Sequence, residues 1–306
     1  MTQPKTGAET GAAPAHAPRA SLQRLVSCIR MDEVCVLQGA PVIGACFAMA
    51  DFSAATLLTI AALVAGNLCL VAHVFVVNDW AGIHGDLQDP RRASQTYVAR
   101  GESAARMGRL AWALLALALL IFGLVSPASF VIASTIAVLS AVYSFPGIHG
   151  KGVPVLNSLL HVSGGTLHFL LGYAALAPIS PHGAAIGCYF GLVFAAGHLT
   201  HETRDHDGDL HNGIRTNSVA FGKKTSFFAS LFLFSAAYGW LTVLALLGFV
   251  PLVLSMAAVL YVIHLRAAWM ALRDDLTYPA VRRLQTVYRN IHVVIGLAML
   301  ATVAPW

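Results

Sequence analysis

Nine apolar runs, each near the length needed to cross a lipid bilayer, constrain this chain more than any other feature. They fall at about 33–50, 54–77, 108–126, 128–146, 154–177, 181–200, 225–248, 250–271 and 286–305. A hydrocarbon layer takes roughly 20 helical residues to span, and within it each backbone amide must be satisfied inside its own segment. These runs therefore read as helices. Only 11% of the 306 residues are charged while 57% are hydrophobic, against about 25% charged in a soluble domain. The expectation is an all-α, polytopic membrane protein whose fold is a bundle of nine transmembrane helices, embedded in the lipid bilayer. Residues 1–21 are polar and rich in Ala, Pro and Gly, with no early apolar core of a secretory signal. They read as a disordered tail, leaving 22–306 as one domain.

The placement of charge orients the bundle. With nine spans the termini lie on opposite sides, and with the N-terminus inside, the inside loops fall near 79–107, 147–153, 201–224 and 272–285. Those loops and the N-terminal segment hold most of the Lys and Arg, including Arg30, Arg91, Arg92, Arg100, Lys151, Arg204, Arg215, Lys223 and Arg283. The opposite connections "ADFSA", "SPAS" and "LAPISPHG" hold none. This is the positive-inside pattern, so the expectation is an integral membrane protein with its N-terminus in the cytosol. The net charge of +5 is spent on that orientation and does not point to nucleic acid. Five cysteines (Cys28, Cys35, Cys46, Cys69 and Cys188) lie in or beside apolar segments without CxxC spacing. They read as packing residues, with neither disulfide nor zinc expected.

Two acidic stretches stand out on the inside face: 78–89, after the second span, and 202–209, after the sixth. Asp205 and Asp209 are four apart, so one helical turn presents both carboxylates on one face; Glu202 and Asp207 lie close by. Such a density of like charge calls for a cation. Mg2+, held through a few carboxylates and substrate phosphate oxygens, has the matching chemistry. Lys151, Arg204 and Arg215 share the face and suit phosphate. One acidic loop alone would read as solvated charge; two, four spans apart on one face, point to a magnesium-diphosphate ligand with an apolar tail among the helices. His161 and His168, seven apart on one face of the fifth span, read equally as interhelical hydrogen bonders or pocket lining, as do Asn67 and Asn157. Gly44 and Gly164–Gly165 read as close helix packing.

From about residue 22 onward the chain resembles the UbiA superfamily of intramembrane prenyltransferases. "NDWAGIHGD" resembles its first motif, NDxxDxxxD, with Asn78, Asp79 and Asp86 in place and Gly82 where an Asp is usual. "RDHDGDLHNGIRTNSVAFG" matches the second, DxxxD, in full; "YSFPGIHGK" resembles a Tyr-Ser…Pro…Lys element, and "RGESAARMG" a stretch that follows the first motif. The resemblance implies a central cavity with a cytosolic-side cap, and two Mg2+ ions shared with a prenyl diphosphate, one on Asn78, Asp79 and Asp86, the other on Asp205 and Asp209. It implies that Lys151, Arg204 and Arg215 hold the diphosphate, with Asn157 also on the substrate, and that Tyr143 lies near the leaving oxygen. Asp89 or His84 is expected to make up for the carboxylate missing at Gly82. The implied activity is Mg2+-dependent transfer of a prenyl group from its diphosphate to an aromatic or other lipophilic acceptor. The alternative is a terpene cyclase that ionises the same substrate and closes the cation on itself. A non-enzymatic ion-binding carrier is the third reading. No obligate protein partner is expected.

Overall fold

The computed structural model describes residues 21–88 and 93–303, with side chains from residue 23. Residues 1–20 of the predicted tail, Asp89, Arg91 and Arg92 lie outside those residues, while Ser21 begins the first helix. The described chain consists of α1 (Ser21–Ser27), α2 (Met31–Val36), α3 (Gly39–Ala48), α4 (Ala54–Ala81), α5 (Ile83–Gln88), α6 (Ala104–Val125), α7 (Pro127–Ser144), α8 (Leu156–Leu176), α9 (Pro181–His211), α10 (Asn217–Phe221), α11 (Lys223–Leu246), α12 (Ala257–Arg273) and α13 (Tyr278–Val303). Among the described residues nine helical segments are long and apolar enough to cross a membrane, α2 and α3 together making the first.

The helix starts follow from local chemistry. Ser53, Ser103, Ser126 and Ser180 cap α4, α6, α7 and α9, each side-chain oxygen accepting a backbone N–H three residues on. Such caps satisfy amides that have no intrahelical partner. Pro127 and Pro181 sit in the first turns of α7 and α9, where a missing N–H costs nothing. Pro41 has the opposite effect. It lacks the N–H that Leu37 O would accept, and the first span breaks there into α2 and α3. Asn67 of α4 covers the break, donating to Leu37 O (3.4 Å) and to Gln38 Oε1 (3.0 Å). Of its two predicted roles, Asn67 thus takes interhelical hydrogen bonding.

Small residues bring the central helices together. A Cβ on Gly44 would lie 2.1 Å from Phe169 O of α8, and one on Gly172 would lie 1.8 Å from Pro41 O, so α3 and α8 touch backbone to backbone. Gly165 meets α9 in the same way, 2.7 Å from Phe190 O, whereas Gly164 has ordinary contact distances. The outer faces carry bare apolar side chains, with Leu124 81% and Leu58 71% exposed, as expected of surfaces that lipid covers.

Three boundaries differ from the sequence expectation in one direction. The second span continues past 77 to Ala81, the sixth past 200 to His211, and the ninth begins at Tyr278 rather than 286. Hydropathy ends a span where polar residues begin. These helices keep going because their polar residues turn inward, so both acidic stretches begin on helices that rise beyond the apolar zone. On the same face the short helices α5 and α10 and two 3-10 turns (Ala93–Gln95 and Gly150–Gly152) form a cap over the mouth of the bundle.

Candidate active site

Beneath this cap lies a polar cavity of about 940 Å³. Nine of the ten predicted site residues line it: Asn78, Asp79, Asp86, Tyr143, Lys151, Arg204, Asp205, Asp209 and Arg215. Asn78 and Asp79 come from the last turns of α4 and Asp86 from α5. Asp205 and Asp209 come from one face of α9, as their spacing requires. The two motifs adjoin at Gly85, where a Cβ would meet the Asn212 side chain, just past α9, at an ordinary contact distance of 3.6 Å.

Two of the four motif carboxylates are gripped by guanidinium groups of the described residues, and Asp32 and Glu33 add further carboxylates to the wall. Arg30, in the link between α1 and α2, grips Asp79 through both carboxylate oxygens, with Nε 3.0 Å from Oδ2. Arg204 forms a second fork on its neighbour Asp205, both hydrogen bonds at 2.8 Å. Arg204 is itself held from α13, where Gln285 Oε1 accepts from it at 2.9 Å and the Tyr278 ring lies 5.7 Å away. Lys151 sits on the 3-10 turn between two residues of left-handed backbone, His149 (φ 50°) and Val155 (φ 68°). A β-branched residue rarely adopts that conformation. Here Asn217 Oδ1 holds it by accepting the Val155 N–H at 2.7 Å. Burial raises the pKa of the Cys28 thiol in the cavity wall above its ordinary value, against the opposing pull of Arg100. It therefore stays a neutral thiol.

The polar cavity opens into a second, narrower one of about 290 Å³ between the helices. The two share Arg30, Asn78, Tyr143, Ser144, Lys151, Arg204, Asp205 and Asp209. Beyond them the walls become apolar, with Val71, Phe75, Leu139 and Phe194, and carry His161, His168 and His198. Both histidines singled out from the sequence thus line a pocket. A charged mouth leading to an apolar chamber is the shape required by a ligand with an anionic head and a hydrocarbon tail.

Asn157 is the exception. It lines neither cavity and is wholly buried, its amide donating to Lys151 O (3.1 Å) and to Glu202 and accepting from Asn217 (2.6 Å). The sequence placed it on the substrate. The structure places it behind the wall, where it donates one of the hydrogen bonds that the buried carboxylate of Glu202 needs. His84 is exposed and lines neither cavity, so it does not stand in for the carboxylate absent at Gly82.

A family model described as the UbiA prenyltransferase family matches residues 39–287. The chain belongs to the UbiA prenyltransferase family. Membership makes it a prenyltransferase-type membrane enzyme. Solved structures agree on the fold. A UbiA homologue from Archaeoglobus fulgidus bound to DMAPP and Mg2+ superposes with a TM-score of 0.70 at 15% identity, covering 91% of this chain and 99% of its own. A digeranylgeranylglyceryl phosphate synthase does so at 0.71 and 17%, covering 93% and 99%. An apo UbiA homologue from Aeropyrum pernix K1 gives 0.71 and 17%, covering 89% and 98%. No curated protein matches the chain. For this UbiA-family chain, sequence reasoning missed Arg30, Tyr278 and Gln285 at the site, and did not weigh His198. Arg30 was counted only toward orientation, although its place before the first span put it on the acidic face. Gln285 carried no signal, since an uncharged residue at a helix start could serve any contact.

Proposed function

We propose that this chain is a Mg2+-dependent intramembrane prenyltransferase that ionises a polyprenyl diphosphate and transfers the prenyl group to an aromatic or other lipophilic acceptor. The observation that carries the reading is the shared wall: eight polar residues belong at once to the charged mouth and to the apolar chamber. A diphosphate head seated at the mouth puts its first carbon at the chamber entrance. The A. fulgidus homologue bound to DMAPP or GPP with Mg2+ supports a substrate of this class.

The residues have the donor chemistry of a divalent metal site, although among the described residues no three His, Cys, Asp or Glu side chains converge on one point. Five aspartates line one cavity, the four of the motifs and Asp32, hard oxygen donors of the kind Mg2+ takes a few at a time alongside phosphate oxygens. Two of them already hold cationic guanidinium groups, and Asn212 Oδ1 on the same wall is buried without a hydrogen-bond partner. Asn78, Asp79 and Asp86 would hold one ion, and Asp205 and Asp209 the other. When bound, Mg2+ neutralises the diphosphate and eases its departure.

The chain's own groups do the rest. Lys151, Arg204 and Arg215 hold the phosphate oxygens as charge builds on them, with Tyr143 beside the breaking bond. The allylic C–O bond breaks, both electrons leaving with the diphosphate. The resulting cation meets apolar walls that exclude water until the acceptor donates an electron pair. The basic face carrying the motifs is read as cytosolic. The test is diphosphate release by protein in nanodiscs, fed geranyl diphosphate and Mg2+ with and without a phenol. The expected result is prenylated phenol with release abolished by EDTA. Cyclic hydrocarbon without acceptor would replace the transferase by the cyclase, and no release from geranyl or longer diphosphates would end both.

A further inference from the structure

Whatever captures an allylic cation leaves a proton behind. A phenol oxygen, an aromatic ring carbon and an internal alkene each form one bond to the cation and then lose H+. In a water-excluding apolar chamber that proton needs a seat, since a free charge there is costly.

The wall of the narrower cavity offers one. His161 Nδ1 lies 2.6 Å from the backbone oxygen of Asn157. A carbonyl only accepts, so Nδ1 carries the hydrogen and the neutral ring keeps its lone pair on Nε2. No hydrogen bond to Nε2 is formed among the described residues, and the ring lines the cavity. It stacks on His198 at 3.5 Å between centroids with planes 10° apart, and meets the Tyr143 ring edge-on at 5.2 Å. His198 Nε2 stands 3.1 Å from Glu202 Oε1, off the line of a hydrogen bond and an ion pair only when the imidazole is protonated. Asn157 and Asn217 (3.0 Å) donate to the Glu202 carboxylate, and Ser218 bonds its backbone. The charged groups on the wall of this cavity are Glu202 beside the cluster and, toward the rim, Lys151, Arg30, Arg204, Asp205 and Asp209.

We propose that His161 is the catalytic base of this enzyme, Nε2 taking the proton lost when the prenyl cation is captured. His198, Glu202 and Asn157 are positioning residues: Asn157 fixes the tautomer, and Glu202 supplies the negative charge that compensates an imidazolium across the stack. In the balanced step the acceptor's electron pair forms the new bond to the allylic carbon. The acceptor's O–H or C–H electrons return to the acceptor, and H+ passes to Nε2. This rests on the prenyl-diphosphate reading above and extends it to the proton.

The experiment feeds geranyl diphosphate, Mg2+ and 1-naphthol to wild type, His161→Gln and His161→Ala in nanodiscs, measuring released diphosphate and organic products separately. Diphosphate release serves as the reference readout, since losing the ring also removes packing against Tyr143, and the test reads the ratio of proton-loss product to prenyl alcohol against it. Proton-loss products (prenylated naphthol or alkene) should fall by roughly a hundredfold, the scale of a lost general base, with the cation diverted to prenyl alcohol. Added imidazole should restore them in His161→Ala. An unchanged ratio of proton-loss product to alcohol overturns the assignment. So does a parallel fall of both readouts without imidazole rescue, which marks a packing role. No diphosphate release by wild type itself instead overturns the reading of the site, and the base with it.

Discussion

The two acidic motifs face each other across one cavity but are built differently. The second is written on the uninterrupted 31-residue α9, so the i, i+4 spacing of Asp205 and Asp209 sets their geometry directly. Arg204 of the same turn is then braced by Gln285 and Tyr278 of α13. The first is split between the end of α4 and the six-residue α5. Its Asp79 is met by an arginine 49 residues earlier, in the link between α1 and α2. One half of the site is thus held by helix geometry and the other by tertiary contact. The contrast teaches that an intact motif and a degenerate one differ in where their rigidity comes from as well as in ligand count.

The largest expected effect tests the rigid half. Asp209→Asn should cut diphosphate release by about a thousandfold, the upper range for removing a group that stabilises developing charge, with the thermal midpoint held. Asp86→Ala in the split half should cost about a hundredfold on the same scale. If Asp86→Ala retains full activity, the first stretch is not a metal site and the comparison collapses. Next comes Gln285→Leu, which removes a hydrogen bond to a charged group worth about 1.5–3 kcal/mol. It should raise KM for the diphosphate about tenfold while leaving the Mg2+ requirement unchanged. Equal loss in an Arg204→Gln background would show that Gln285 acts elsewhere.

Gly82→Asp is the smallest and sharpest test. A Cβ at Gly82 would sit 3.8 Å from Asp86 Oδ2 and 3.1 Å from Asn78 O, so a side chain there starts beside the existing carboxylate at the cost of a slight shift. The Mg2+ concentration for half-maximal release should drop a few-fold, with the maximal rate held, and Gly82→Ala should do neither. A rise in the Mg2+ requirement would mean that like-charge repulsion outweighs the added ligand.

Much of this was legible in the chain. Nine apolar runs cannot satisfy their amides in lipid except as helices, and alternation of the basic loops put both acidic stretches on one face. The periodicity of α9 set the two aspartates side by side. Where the helices end was not legible, because hydropathy counts polar residues as exits while α4, α9 and α13 turn theirs into the cavity. Nor was the fate of Asn157, which the same local pattern would allow to face substrate.

What the sequence by itself determined was the solvent, the element type and the face on which charge gathers, since each follows from the length, polarity and period of single segments. Only the tertiary structure decided which charges meet: Arg30 on Asp79, Gln285 on Arg204, His198 against His161, Asn217 on Val155. Those contacts join segments up to 81 residues apart. Their distances depend on where glycines let backbones touch, a property of pairs of helices that no single stretch of sequence encodes.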